Sequence, residues 1–468
     1  MQNDKSKSEL RSTMEISTRE GIFAQIYGTL AAPGSIFLTK FAVMLGATPF
    51  QFSLMAAIGQ LSQIFQPLGV MLTRNLTSRK NIVIKFASAS RALSFLFGFL
   101  PFMFINSSAM WIMLLIYFFS TSLGAVGGNA WIAWIADMVP LRIRGRFFSR
   151  RSQYLMVAGL LTGYTMSAFI DMYAQNPGFI AKALLSLISN ASVFSAQNLT
   201  YAFLAIFCFG TIIGLLGLRI LKKQPERQKS IERESFREML ITPLQDKNFR
   251  KLLLYAFWWM FAVGIGAPFW GPFLIQKLNV SLVEIQLYGT ISTFASIAAL
   301  RPWGFIIDRF GNKTAMRFSL LLGGMNPMLW LFVTPDSYWL IFVEAFTSGI
   351  MWSGAGIVAT NFVLAIAPKG KQQIYSGIFG AFSGIAMTIT MLMSGIFLPA
   401  PREIFGLHLE PEQVLFGLTG LARWSTQIPL TWIHEPHGKP VRAALYFYIQ
   451  FALFRIADIA GWVKRKRK

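Results

Sequence analysis

Apolar runs of about 20 residues recur along the chain from Gly21 to Val463, with short polar breaks between most of them. At 1.5 Å of rise per residue, a run of that length crosses the roughly 30 Å hydrocarbon core of a bilayer as a single helix. The pattern predicts twelve such helices, at 21–46, 50–73, 83–105, 110–136, 150–172, 199–221, 251–277, 284–307, 315–334, 338–366, 373–398 and 441–463. An even number of crossings puts both chain ends on the same side. Two further stretches, 178–196 and 412–433, are apolar but contain Lys182 or Arg423 among several hydroxyl and amide residues. Ile180, Leu184, Leu187 and Ile188 in the first, and Val414, Leu418 and Leu421 in the second, share one helical face, which predicts helices lying on the outer surface.

Composition excludes the soluble alternatives. The chain is 54% hydrophobic and 15% aromatic, with 13% charged residues, against about a quarter charged in soluble proteins. A net charge of +23, from 43 Lys+Arg and 20 Asp+Glu, would suit a nucleic-acid partner on a soluble domain. Here the basic residues lie between the apolar runs, where they act as orientation signals, so no nucleic acid is expected. With the N-terminus inside, the outer segments carry only Lys182, Lys277, Arg402, Arg423, Lys439 and Arg442, which predicts cytoplasmic termini. Residues 1–20 hold no apolar core of a cleavable signal peptide and are expected to form a cytoplasmic tail. The single cysteine, Cys208, excludes an intrachain disulfide framework.

The chain repeats itself at an offset of 235. QPLGVMLTR (66–74) falls on RPWGFIIDR (301–309), so that Pro67, Gly69 and Arg74 meet Pro302, Gly304 and Arg309. The same offset aligns Ala32, Pro33 and Gln51 with Ala267, Pro268 and Gln286. Two halves of six spans each share one orientation and are related by an axis along the membrane normal. The expected organisation is a bundle at 21–221, a polar cytoplasmic linker at 222–248, a bundle at 249–463 and a basic tail at 464–468.

A Gly-x-x-x-Asp-Arg-x-Gly-x-Lys pattern in the inner loop after the second span of each half resembles the signature loop of the major facilitator superfamily. The second copy is intact in Gly304, Asp308, Arg309, Gly311 and Lys313, while the first keeps Gly69, Arg74, Arg79 and Lys80 but has Thr73 in place of the acid. After span four, Asp137, Pro140, Arg144, Gly145 and Arg146 are similar to the Asp-x-x-Pro and Arg-Gly-Arg loop of bacterial members. The resemblance implies an all-α integral membrane protein of two six-helix bundles, working in a bacterial inner membrane as an alternating-access carrier for a small organic solute. It also implies coupling to protons, with the lipid bilayer as the other partner and a monomeric state. A polytopic membrane enzyme or receptor is the alternative; the former would show clustered acids or histidines at one face, the latter an added soluble domain.

Several in-span residues are candidates for chemistry. Gln60, Gln63 and Gln66 make a polar stripe, and Asn129 and Asn361 are similar polar positions, suited either to a cavity or to helix–helix hydrogen bonds. Trp131, Trp134, Trp270 and Trp352 offer indole faces to an amphipathic or sugar-like solute, or serve in packing. Charges within spans are costly, which singles out Lys40, Arg91, Arg301, Glu344, Arg455 and Asp458. Arg455 and Asp458 neutralise each other at helical spacing. Lys40 and Glu344 stand at similar depth near the outer ends of spans one and ten, an arrangement that predicts a pair forming when the outer side closes; with Arg301 they are the coupling or gating candidates. His434, Glu435 and His437 do not match a helical metal motif, and Pro436 interrupts them, so neither metal nor cofactor is expected.

Overall fold

The computed structural model describes residues 2–65, 78–226, 241–368, 371–435 and 442, apart from positions 176, 190, 242 and 405. Each half opens on a helix broken at its repeated proline. α1 (Gln2–Leu30) ends before Pro33, and α2 (Ile36–Met44) restarts from Ser35, whose hydroxyl accepts from the Phe37 amide at 3.2 Å. Gly34, at φ +87°, supplies the left-handed residue that the break requires. In the second half α9 (Lys247–Gly266) ends before Pro268 and α10 (Trp270–Gln276) continues the passage. Proline lacks the amide hydrogen that an unbroken helix uses, so the repeat in sequence becomes a repeat in backbone geometry.

The rest of the first half consists of α3 (Pro49–Leu61), α4 (Lys80–Phe95, prolonged by short turns to Met103), α5 (Asn106–Met138), α6 (Leu141–Asp171), the short α7 (Phe179–Leu185) and α8 (Leu199–Leu221). The second half continues through α11 (Leu282–Phe310), α12 (Asn312–Leu329), α13 (Leu340–Ile366), α14 (Gln372–Ile396), α15 (Pro411–Ser425) and α16 (Gln427–Leu430). A hairpin of β1 (Arg402–Ile404) and β2 (Leu407–Leu409) precedes α15. Seven helical segments among the described residues are long and apolar enough to cross a membrane on length and composition alone. With α3, α6, α12 and α15, together with α1 and α2, they make twelve passages in two bundles of six, which is a multi-pass integral membrane architecture. Lipid tails are as apolar as leucine, so close packing rather than exclusion from water holds such helices together. At the α11–α13 crossing, a Cβ on Gly349 would collide with the Ser292 carbonyl, which only glycine avoids.

Two expectations about the termini change. Residues 2–20 are not a loose tail, because α1 runs unbroken through them and buries Thr13, Ser17 and Glu20. Arg151 on α6 donates to the Ser17 carbonyl at 3.1 Å. The stretch 412–433 is not an outer-surface helix. Its first residues lie beside the outer end of α10, where Lys277 donates to Glu410 at 2.6 Å, a hydrogen bond that holds the ammonium above the ordinary lysine range. Its last residues reach the opposite face, where Glu435 meets the start of α12. The polar groups that looked interfacial are satisfied inside the bundle: Gln413 donates to the Trp330 and Val333 carbonyls, each at 3.0 Å, and Thr419 to the Leu415 carbonyl at 2.8 Å. This stretch makes the sixth passage of the second half, the place expected for 441–463, a segment outside the described residues except for Arg442.

Candidate functional site

At the inner face, the one that carries the basic loops, each bundle is fastened by the same reciprocal clamp. In the first half the Glu226 carboxylate, just past α8, accepts from the backbone amides of Arg79 and Lys80 and from the Ser78 hydroxyl, while the Lys80 ammonium donates to the Gln224 carbonyl at 2.9 Å. In the second half Glu435, just past α16, accepts from the amides of Asn312 and Lys313 at 2.7 and 2.8 Å, and the Lys313 ammonium donates to the Thr431 and Ile433 carbonyls at 2.8 and 3.0 Å. A carboxylate at a helix N-terminus and an ammonium at a helix C-terminus both oppose the helix dipole favourably. Gly311, at φ +93°, makes the sharp turn from α11 into α12 that this clamp needs. Asp137 pairs with Arg79, and Arg144 donates twice to the Val139 carbonyl.

Within each bundle a buried arginine crosses between two helices, and the two halves do it in opposite senses. Arg91 on α4 donates to the Gly214 carbonyl on α8 and pairs with Glu20 at 2.8 Å beneath the Tyr27 ring. Arg423 on α15 donates to the Gly323 carbonyl on α12 at 3.2 Å, and its guanidinium lies 5.7 Å from the ring centroids of both Trp259 and Trp352. Arg91 stands eleven residues after Lys80, and Gly324 eleven after Lys313; Gly214 stands twelve before Glu226, and Arg423 twelve before Glu435. Counted from the clamps, arginine and glycine have exchanged helices. The glycines make room: a Cβ on Gly214 would sit 3.1 Å from the Arg91 Cδ, and one on Gly324 would collide with Trp424.

Arg423 also faces Glu344 and Tyr288. The Glu344 carboxylate is buried and accepts from the Tyr288 hydroxyl at 2.6 Å. The expected Lys40–Glu344 pair is therefore corrected, although the outer side is closed. Lys40 instead lies within electrostatic range of Asp171. Asp171, at the outer end of α6, accepts from the amides of Leu282 and Val283 at 2.9 Å each and so caps α11 across the boundary between bundles. Farther along the same seam the Tyr164 and Thr290 hydroxyls are 2.9 Å apart, and a Cβ on Gly163 would meet the Gln286 side chain at 2.7 Å. Gly271 of α10 lies close to Thr39 of α2, and Ile275 and Leu282 join the hydrophobic core of the first half. The outer ends of the bundles are thus sealed together. Toward the inner face Arg146 and Arg150 on α6, and Phe294, Arg301 and Asp308 on α11, are exposed.

The residues singled out from sequence do not gather in one place. Trp352 and Glu344 share α13 and are joined through Arg423. Trp270 stacks on Phe416 with ring centroids 3.8 Å apart, as packing. Trp134 is buried and donates to the Pro225 carbonyl at 3.1 Å, and Asn361 donates to Asn312 at 3.0 Å, so both support the inner clamps. Trp131 lies under the Arg151 guanidinium at 4.7 Å. Asn129 is half-buried on α5, and the backbone of Gln60 passes close to Gly384 of α14. Of the remaining positions, Gln66, Gly69 and Arg74 lie outside the described residues, as does the side chain of Gln63. Arg423, Tyr288, Asp171, Glu226 and Glu435 were not among the candidate site residues. Arg423 carried a usable signal, a charge in an apolar stretch of spanning length.

The profile of the Major Facilitator Superfamily matches residues 253–409. An uncharacterized MFS-type transporter of Methanocaldococcus jannaschii is 29% identical over 165 residues, which is 35% of this chain, and the chain spans 41% of that relative's length. The fold is similar to the crystal structure of the nucleoside transporter NupG, with a TM-score of 0.63 and 12% identity over 91% of this chain and 98% of the other. A D-xylose-proton symporter gives a TM-score of 0.60 and 16% identity over 92% and 98%. The sequence match to the Major Facilitator Superfamily lies within the second half, and the two-bundle fold of nearly the whole chain is similar to that of the solved carriers.

Proposed function

We propose that the chain is a secondary carrier that moves a small organic solute by alternating access, with the bundles on either side of the 222–248 link rocking against each other. The observation that carries this reading is the seam between α6 and α11, sealed at its outer end by Asp171 on the α11 amides and splayed at its inner end. A carrier needs a contact that holds one side shut and is made only in that state. The basic loops put the inner face and both chain ends in the cytoplasm, and the resemblance of the loops to bacterial members favours a bacterial inner membrane. Sugars and nucleosides are the first solutes to try, because the fold is similar to those of a nucleoside transporter and a D-xylose-proton symporter.

Glu344 is the proposed proton site. It is buried, bonded to a hydroxyl and faced by one guanidinium, so protonation changes the charge balance around Arg423 without breaking the outer seal. Glu344→Gln should abolish accumulation driven by a pH gradient in proteoliposomes while leaving exchange at equal solute concentrations intact. The gating reading has a separate test. Gly163→Cys with Gln286→Cys, in a Cys208→Ser background, should be joined by a short thiol crosslinker, and joining should stop both net uptake and exchange. Full exchange through the crosslinked protein would sink alternating access at this seam.

A further inference from the structure

Asp171, Tyr164 and Gly163 mark the face of α6 that touches α11. Continued toward the inner end at three- and four-residue spacing, that face carries Gln153, Ser149, Arg150 and Arg146. There the facing sides of both helices are exposed, and an open recess on α6 is lined by Gly145, Arg146, Ser149, Arg150 and Gln153. Its wall holds two guanidinium groups one helical turn apart and no carboxylate. Neighbouring arginines are engaged elsewhere: Arg79 with Asp137, Arg144 with the Val139 carbonyl, Arg151 with the Ser17 carbonyl and the Trp131 ring. Arg146 and Arg150 are exposed and make no hydrogen bond or ion pair among the described residues. No heavy atom lies within 4 Å of the place a Cβ on Gly145 would take, so the approach is open. The positive-inside rule accounts for basic residues at this end of the helix, but not for two unpaired ones sharing a recess with a hydroxyl and an amide.

We propose that Arg146 and Arg150, with Ser149 and Gln153, form a binding site for a phosphate-type oxyanion, brought either by a free phosphorylated solute or by the headgroup of an anionic lipid reaching into the open seam. Guanidinium forks match oxyanions in a bidentate way, and hydrogen bonds to charged groups are the stronger kind. The proposal rests on the carrier reading only in taking the seam to open inward. It adds a consequence for gating. In the antiparallel register set by the Tyr164–Thr290 and Asp171–Leu282 contacts, Arg301 stands level with Gln153 and Asp308 with Arg146. When the inner ends close, the Asp308 carboxylate arrives where the anion was held and displaces it, so a bound anion holds the inner side open.

The test uses purified full-length protein and two probes, inorganic phosphate and short-chain phosphatidylglycerol, each against a control of equal ionic strength or of phosphatidylcholine. Phosphate should raise the unfolding temperature of the wild-type chain, and Arg146→Gln with Arg150→Gln should weaken its apparent affinity at least about ten-fold. Arg142→Gln, an exposed change in the same segment, should keep the wild-type response. Replacing both residues by lysine should give an intermediate affinity, which separates loss of the fork from loss of the fold. A response confined to phosphatidylglycerol, and lost in the double glutamine variant, assigns the site to a lipid headgroup. The proposal is overturned if neither probe stabilises the wild type, or if the double variant and Arg142→Gln respond alike. Crosslinking of the outer seam does not depend on either outcome, so this site and the alternating-access reading fail separately.

Discussion

Glu20 and Arg91 are buried together, and neither has water to fall back on once the other is gone. Arg91→Leu strands the carboxylate between helices and should cost about 3–5 kcal/mol, read as a large fall in thermal stability in detergent. Glu20→Leu combined with Arg91→Leu should recover much of that loss, because a matched apolar pair carries no desolvation debt. A double variant no more stable than Arg91→Leu alone would show that the arginine acts through the Gly214 carbonyl and the Tyr27 ring rather than through the acid. Sequence marked Arg91 as a charge inside a span but assigned it no partner, since Glu20 lay in what read as a tail. What was missing is where the helix of the first span begins: α1 continues back through Glu20, which places its carboxylate at the level of Arg91.

Spans that were legible from hydropathy share one property, a run of apolar residues long enough to cross with few polar interruptions. The stretch at 411–433 fails that test because its polar groups are answered within the bundle by the Trp330, Val333 and Gly323 carbonyls. Hydropathy scores each residue as if its neighbours were lipid, so a helix that satisfies its own polar groups reads as interfacial. Pro33 and Pro268 stood out as matching positions of the repeat, and both mark breaks because proline acts on the backbone regardless of context. The path of α15 through the membrane leads to a labelling experiment. In a Cys208→Ser background, Leu407→Cys in the outer hairpin should react with an impermeant thiol reagent in intact cells, and His434→Cys only after the membrane is opened. Labelling of His434→Cys from outside would return 411–433 to the surface.

Across the whole molecule, Asp171 joins the bundles by hydrogen bonds to two backbone amides rather than to another side chain. Such charge-assisted bonds contribute about 1.5–3 kcal/mol each, enough to shift an opening equilibrium by ten-fold or more. Asp171→Ala should therefore speed the reaction of a cysteine at Thr39, in the outer seam, with an impermeant thiol reagent by about ten-fold or more, while expression stays near wild type. An unchanged rate would mean that apolar packing alone keeps the outer side shut. The two-bundle plan was readable in the chain because it rests on periodicity and a repeated motif, whereas this seal depends on the distance between two helix ends that no local pattern records. The crossed arginines speak to descent. If the halves arose from one duplicated ancestor, the arginine changed helix in one copy, and the lineage passed through a seam holding either two guanidinium groups or none. Either intermediate is costly: with two, cations face each other in lipid, and with none, a carboxylate such as Glu20 is left buried without its partner.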